Sequence, residues 1–159
     1  VFSETGDVEF YLPAGTWTDF FTGEVKKGPV WIEEEPGFMR VPLWVRQNSI
    51  IPLGAENSRP DYDYSKEVTL TAGVLEGGFQ EELILRGPDG KRLCSFEVEK
   101  AANRLTVQTD MKNPEFSIHF LSESETEEAK GAFLQNTGVP GILLNAGVGE
   151  VTIQFPEKK

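Results

Sequence analysis

Apolar and polar residues alternate with a period of two along much of the chain, most clearly after about residue 66. Val68, Leu70, Ala72 and Val74 alternate with Thr69, Thr71 and Gly73, and Cys94, Phe96 and Val98 alternate with Ser95, Glu97 and Glu99. Leu105 and Val107, then Phe116, Ile118 and Phe120, then Val151, Ile153 and Phe155 repeat the pattern. Successive side chains of a strand point to opposite faces, so each run predicts a strand with one dry face. A one-residue slip would turn the whole apolar set to water. The predicted interior is therefore Val68, Leu70, Phe96, Val98, Leu105, Val107, Ile118, Phe120, Ile153 and Phe155.

Turn chemistry separates these runs. Gly77-Gly78, Pro88-Asp89-Gly90, Ala101 to Asn103 and Asn113-Pro114 read as four turns joining five consecutive strands, which predicts a mainly antiparallel sandwich. One helix is credible, over Ser124 to Lys130, where Ser124 and Glu127 have capping-box spacing. It lacks an apolar stripe and Gly131 ends it after about two turns, so a solvated loop is the alternative. The first half predicts shorter strands near Val8 to Leu12, Thr16 to Phe21, Val30 to Glu34 and Leu43 to Ile51, with Pro and Gly between them. The polar stretch Ala55 to Ser65 breaks the apolar pattern and reads as a linker. The expected fold is all-β: a small antiparallel module over 1–57 and a β-sandwich over 64–159.

Composition narrows the function. The 159 residues carry 15 Lys+Arg and 26 Asp+Glu, a net charge of −11. Both halves are acidic, which argues against nucleic acid and anionic membranes as partners, since both are held by basic side chains. The single cysteine, Cys94, excludes an internal disulfide and any Cys-based zinc site, and points toward the cytosol. No apolar run approaches the ~20 residues of a membrane span, and no signal-peptide pattern opens the chain. The chain begins at Val1 rather than Met, and is read as part of something longer.

Candidate chemistry is sparse. Glu33-Glu34-Glu35 is the densest carboxylate run, but adjacent strand residues face opposite ways and cannot form the opposed carboxyl pair of a glycosidase. Asp61-Tyr62-Asp63 resembles the opening of a calcium loop without its later ligands. His119, the one histidine, falls on the face of Ser117, opposite the apolar side chains, and reads as a surface residue. Gly147-Val148-Gly149 precedes a strand, whereas phosphate cradles follow one, so it reads as a turn. Cys94 reads as an inert core thiol. Trp17, Trp31 and Trp44 read as core or contact residues, with a sugar-stacking platform as the rival. No catalytic, cofactor-binding or metal site is assigned.

Two segments carry a specific resemblance. Tyr11 to Glu24 (YLPAGTWTDFFTGE) and Pro42 to Gly54 (PLWVRQNSIIPLG), with Pro36-Gly37-Phe38 between them, resemble the region following the catalytic barrel in glycoside hydrolase family 31, the α-glucosidases and α-xylosidases. The likeness covers about the first third of the chain. Beyond Lys66 it is architectural only, matching the family's distal β-sandwich. It implies a hairpin turning at Gly15, a second turn at Thr22-Gly23, and a Leu43, Val45, Ile50 and Ile51 segment pairing in the same small sheet.

The resemblance also implies a retaining mechanism whose nucleophile and acid/base are aspartates of the barrel, upstream of this segment. No residue here matches the nucleophile motif, so the chain alone is expected to be inactive and to need no cofactor. The implied partner is the catalytic barrel of the parent chain or, in its place, a second copy. The contact surface is expected among Phe2, Phe10, Phe20, Phe21, Phe38, Trp44 and Val45. An independent carbohydrate-binding module is the alternative.

Overall fold

The computed structural model describes residues 6–35, 40–60, 62–123, 125–135 and 138–157. Thirteen strands and no helix are found among them. In the first half lie β1 (Val8–Asp19), β2 (Val25–Glu34), β3 (Trp44–Arg46) and β4 (Ile50–Leu53). The second half holds β5 (Val68–Ala72), β6 (Phe79–Arg86), β7 (Arg92–Ala101), β8 (Arg104–Thr109) and β9 (Phe116–Phe120). It continues through β10 (Glu128–Lys130), β11 (Ala132–Gln135), β12 (Ile142–Ala146) and β13 (Glu150–Gln154). They form a three-stranded sheet, β2-β1-β3, and two five-stranded sheets, β10-β13-β8-β7-β6 and β11-β12-β9-β5-β4.

The two larger sheets close on one apolar core. All ten residues expected inside are buried, Phe96 and Ile153 completely. Phe96 on β7 meets Phe116 on β9 edge-on, with ring centroids 5.1 Å apart, so an aromatic contact joins one sheet to the other. Lys100 is also buried, with its Nζ 4.1 Å from the Phe155 ring centroid. A cation over an aromatic face recovers part of the cost of leaving water.

The connections are less local than the turn signals suggest. Pro88 to Gly90 and Ala101 to Asn103 do close hairpins, β6 to β7 and β7 to β8. Gly77-Gly78 and Asn113-Pro114 instead carry the chain from one sheet to the other, because β5 and β9 belong to one sheet and β6 and β8 to its partner. As a result β5 and β9 lie side by side and parallel, from Val68 opposite Phe116 to Ala72 opposite Phe120. The sandwich is mainly antiparallel with this one parallel pair at its centre.

The helix expected over Ser124 to Lys130 is not formed. Ser124 lies outside the described residues, and Glu128 to Lys130 make the edge strand β10 on β13. The capping-box spacing loses to period two: Ala129 pairs with Ile153 and packs against the core while Glu128 and Lys130 face solvent. Gly131, at φ +80°, then turns the chain into β11 on the other sheet, where a side chain would meet the Glu150 carbonyl at 2.6 Å.

Two expectations for the first half are corrected. Val8 to Leu12 and Thr16 to Phe21 are not separate strands meeting at a Gly15 turn. Val8 to Asp19 form the single strand β1, whose pairing with β2 shifts register between Leu12 and Gly15, and Phe20 and Phe21 fall in the turn that follows. Gly28 opposite Gly15 makes the bulge possible, since a Cβ there would lie 2.0 Å from the Pro13 carbonyl oxygen. Trp17 Nε1 donates to that same carbonyl at 2.8 Å. The reversal comes at Thr22-Gly23, where Gly23 (φ +73°) donates its N–H to the Asp19 carbonyl at 2.9 Å.

The Leu43 to Ile51 segment, second, does not stay in the small sheet. β3 pairs with β1, but β4 pairs with β5 and forms an edge of the sandwich. Residues 55–65 therefore connect neighbouring strands of one sheet.

Candidate functional site

One buried carboxylate explains the spacing of polar and turn residues in the Tyr11 to Glu24 segment. Asp19 ends β1 and is 1% exposed. Its Oδ1 accepts from the backbone N–H groups of Phe21 and Thr22 at 2.8 and 2.7 Å, and its Oδ2 accepts from Arg40 Nη2 at 2.7 Å. The guanidinium also stands 5.4 Å from the Phe21 ring centroid and 4.0 Å from Glu34 Oε2. Asp19 thus ties the turn after β1 to the chain entering β3. Sequence reasoning did not single it out, although an Asp two and three residues before amides of a Thr-Gly turn is a recognisable Asx signal.

A second cluster joins the small sheet to the sandwich. Gln47 N donates to the Thr16 carbonyl at 2.7 Å and Gln47 Oε1 accepts from Thr16 N. Asn48, at φ +56°, donates its N–H to the Val74 carbonyl, and its Oδ1 accepts from Glu76 N at 2.8 Å. Glu76 Oε2 accepts from both side-chain amides, at 3.2 and 3.1 Å. Close approach does the rest. A Cβ on Gly73 would touch Thr18 and Val45, and one on Gly23 would lie 2.2 Å from the Leu121 carbonyl oxygen.

The candidate residues named from the sequence do not converge. Glu33 and Glu35 are exposed and Glu34 half-buried beside Arg40. Asp61 lies outside the described residues, and Asp63 Oδ1 accepts from Ser65 N and Oγ while Oδ2 stands 3.7 Å from Lys66 Nζ. His119 Nε2 lies 2.8 Å from the Pro140 carbonyl oxygen. Cys94 is buried, and burial, helped by the nearby Asp110 charge, pushes its thiol up. Gly147 to Gly149 form the connection from β12 to β13.

A glycosidase acid needs a raised pKa. The carboxyls that move here all move down: Glu56, Asp63 and Asp89 are held below the usual range chiefly by hydrogen bonds from serine and lysine groups two residues on, and Asp110 by those from Ser95 and Arg92 of β7. They are caps.

The tryptophans also diverge. Trp17 is tied to Pro13, and Trp44 is half-buried with Lys26 Nζ 5.2 Å from its ring centroid. Trp31 is 64% exposed and lies 5.4 Å from Tyr11 at an interplanar angle of 51°, so the two rings do not make one flat platform. They belong to a broader set: Tyr11, Phe21, Val25, Trp31, Val41 and Leu43, all of the first 43 residues, are exposed. Of the surface expected from the sequence, Phe21 is exposed, Phe10, Phe20 and Trp44 are half-buried, and Phe2 and Phe38 lie outside the described residues. Val45 is a correction: it is 4% exposed, turned inward toward Gly73.

Comparison with known proteins identifies this architecture. Residues 1–51 match the glycosyl hydrolase family 31 C-terminal domain, and residues 63–155 match the alpha-xylosidase YicI C-terminal domain. The chain belongs to glycoside hydrolase family 31, as a C-terminal β region of the alpha-xylosidase and alpha-glucosidase type. Among curated relatives it is 30% identical over 129 residues to alpha-xylosidase XylQ of Lactiplantibacillus pentosus, covering 79% of this chain and 17% of that protein. It is 28% identical over 116 residues to alpha-glucosidase 2 of Bacillus thermoamyloliquefaciens, covering 72% of this chain and 14% of that protein. The chain therefore spans about one-sixth of the length of these relatives. The cycloalternan-forming enzyme of Listeria monocytogenes, solved with a pentasaccharide substrate, shares the fold with TM-score 0.72 at 16% identity, over 95% of this chain and 17% of that one. Among the described residues no helix is long and apolar enough to cross a membrane.

Proposed function

We propose that the chain is the non-catalytic C-terminal part of a retaining α-glycosidase, an α-xylosidase or α-glucosidase, and that its first module buttresses the catalytic barrel. The observation that carries this reading is the exposed apolar set of the small sheet and its turns. Six large apolar side chains lie open within residues 11–43, on a module tied to the sandwich by Gln47, Asn48 and two close glycine contacts. A surface of that kind on a soluble domain marks a contact, and a broad mix of aliphatic and aromatic groups suits a packed domain interface. The reading is supported by the length of the curated relatives, which extend far beyond this chain.

In this reading residues 1–57 and 64–159 are two modules joined at 55–65, with hydrogen bonds to the sandwich already made at Gln47 and Asn48. Catalysis belongs to the barrel, and a cytoplasmic location goes with the reduced, buried Cys94. The test is the parent enzyme carrying Trp31→Asp and Leu43→Asp. The expected result is faster thermal inactivation with kcat retained before inactivation. Unchanged thermal inactivation would overturn the buttress.

A further inference from the structure

The outer face of the sheet β11-β12-β9-β5-β4 sets one open aromatic side chain among amide and hydroxyl groups. The pairing registers align Phe133, Asn145, Ser117, Thr69 and Leu53 in one row across all five strands. At ~4.8 Å per strand step the row is ~19 Å long. Phe133, at one end, is 79% exposed, more than any other large apolar side chain described. Its pleat-mate Gln135 and its cross-strand neighbour Asn145 are exposed as well. Ser117 Oγ hydrogen-bonds Asn145 Oδ1 at 2.8 Å, fixing the amide plane and leaving its NH2 group as the donor. This row borders a groove of about 850 Å³, whose charged lining residues are two glutamates, Glu67 and Glu115, with no base among them.

We propose that this face binds a neutral oligosaccharide, laid along the row with one sugar ring against Phe133 and hydroxyls on Asn145, Gln135, Ser117 and Thr69. A pyranose has an apolar C–H face and a rim of hydroxyls that both donate and accept, which is the chemistry of one open aromatic beside amide and hydroxyl side chains. Anionic ligands are repelled by the carboxylates. A purely apolar partner would bury the amides unpaired. The length of the row calls for several linked sugars rather than one. The site is separate from the buttress surface: it lies on the sandwich, and neither Trp31 nor Tyr11 takes part.

The test is a titration of the isotope-labelled 159-residue chain with maltohexaose, xylohexaose and a xyloglucan heptasaccharide at millimolar concentration, followed by backbone amide shifts. Shifts should gather at Ser117, Phe133 to Gln135 and Asn145. Phe133→Ala should weaken binding about tenfold or more, the weight of a lost stacked ring, while Trp31→Ala leaves it unchanged. Asn145→Ala, an exposed position, is the second variant if Phe133→Ala does not fold. No shift with any of the three sugars overturns the proposal, as do shifts centred on Tyr11 and Trp31. Sugar-independent dimerisation abolished by Phe133→Ala also overturns it, because the face would then belong to a second copy. Each of these failures leaves the inactivation test of the buttress unaffected.

Discussion

At the scale of single residues, the weight rests on a few buried polar atoms rather than on reactive ones. Removing Asp19 leaves two turn amides and the Arg40 guanidinium without their acceptor. Because Arg40 is about one-third exposed and water can partly replace the carboxylate, Asp19→Ala is expected to cost about 3 kcal/mol in urea unfolding, with Asp19→Asn costing less. Asp110 makes a pH prediction. It accepts from Ser95 N at 2.8 Å and from Arg92 Nη2 at 2.5 Å, and these bonds hold its carboxyl below the usual range. A depressed folded pKa contributes stability that is present above the unfolded value near 3.9 and lost as pH falls through the folded one. Stability measured from pH 6 down to 2 should therefore fall less steeply in Asp110→Asn than in the native chain. Cys94 should resist thiol reagents at pH 8 until the chain is unfolded; rapid labelling of the native protein would contradict its burial.

At the scale of elements, glycines separate the turns that merely bend from those that hold modules together. Gly78 sits at φ +89° with open space where a side chain would point, so Gly78→Ala should cost only the backbone strain, about 1 kcal/mol. Gly23 combines φ +73° with the Leu121 carbonyl at 2.2 Å, so Gly23→Ala must also part the small sheet from the sandwich. It should cost at least twice as much as Gly78→Ala when both are compared by urea unfolding. The strands of the sandwich were legible because period two is a local pattern: Phe96, Val98, Ile118 and Ile153 point inward as their neighbours dictate. Strand partners were not, because nothing in Asn113-Pro114 distinguishes a hairpin from a crossing between sheets. The same holds at Gly15, where a bulge and a turn ask for the same residue and only Gly28, on another strand, decides. The Phe133 row was invisible for this reason too: Leu53, Thr69, Ser117, Phe133 and Asn145 are far apart along the chain and meet only through pairing.

At the scale of the whole molecule, the chain should show an apolar face and no turnover. Purified, it is expected to hydrolyse neither aryl α-glucosides nor aryl α-xylosides, since retaining chemistry needs two carboxyls about 5 Å apart in a tuned site. It should bind an apolar-surface dye or self-associate, and Trp31→Ser with Leu43→Ser should reduce either without lowering the melting temperature. The strand β4 carries a different consequence. It is reached from the first module across three residues, yet it covers the flank of β5. Excising the sandwich at residue 64 would therefore bare the edge of β5 from Thr69 to Ala72. Such a piece invites the missing strand from another molecule, so it should form exchanged dimers or fibres, whereas one begun at Gln47 keeps its own closure. The unit that evolution can shuffle, or an engineer can graft, is longer at its front than the break in composition implies.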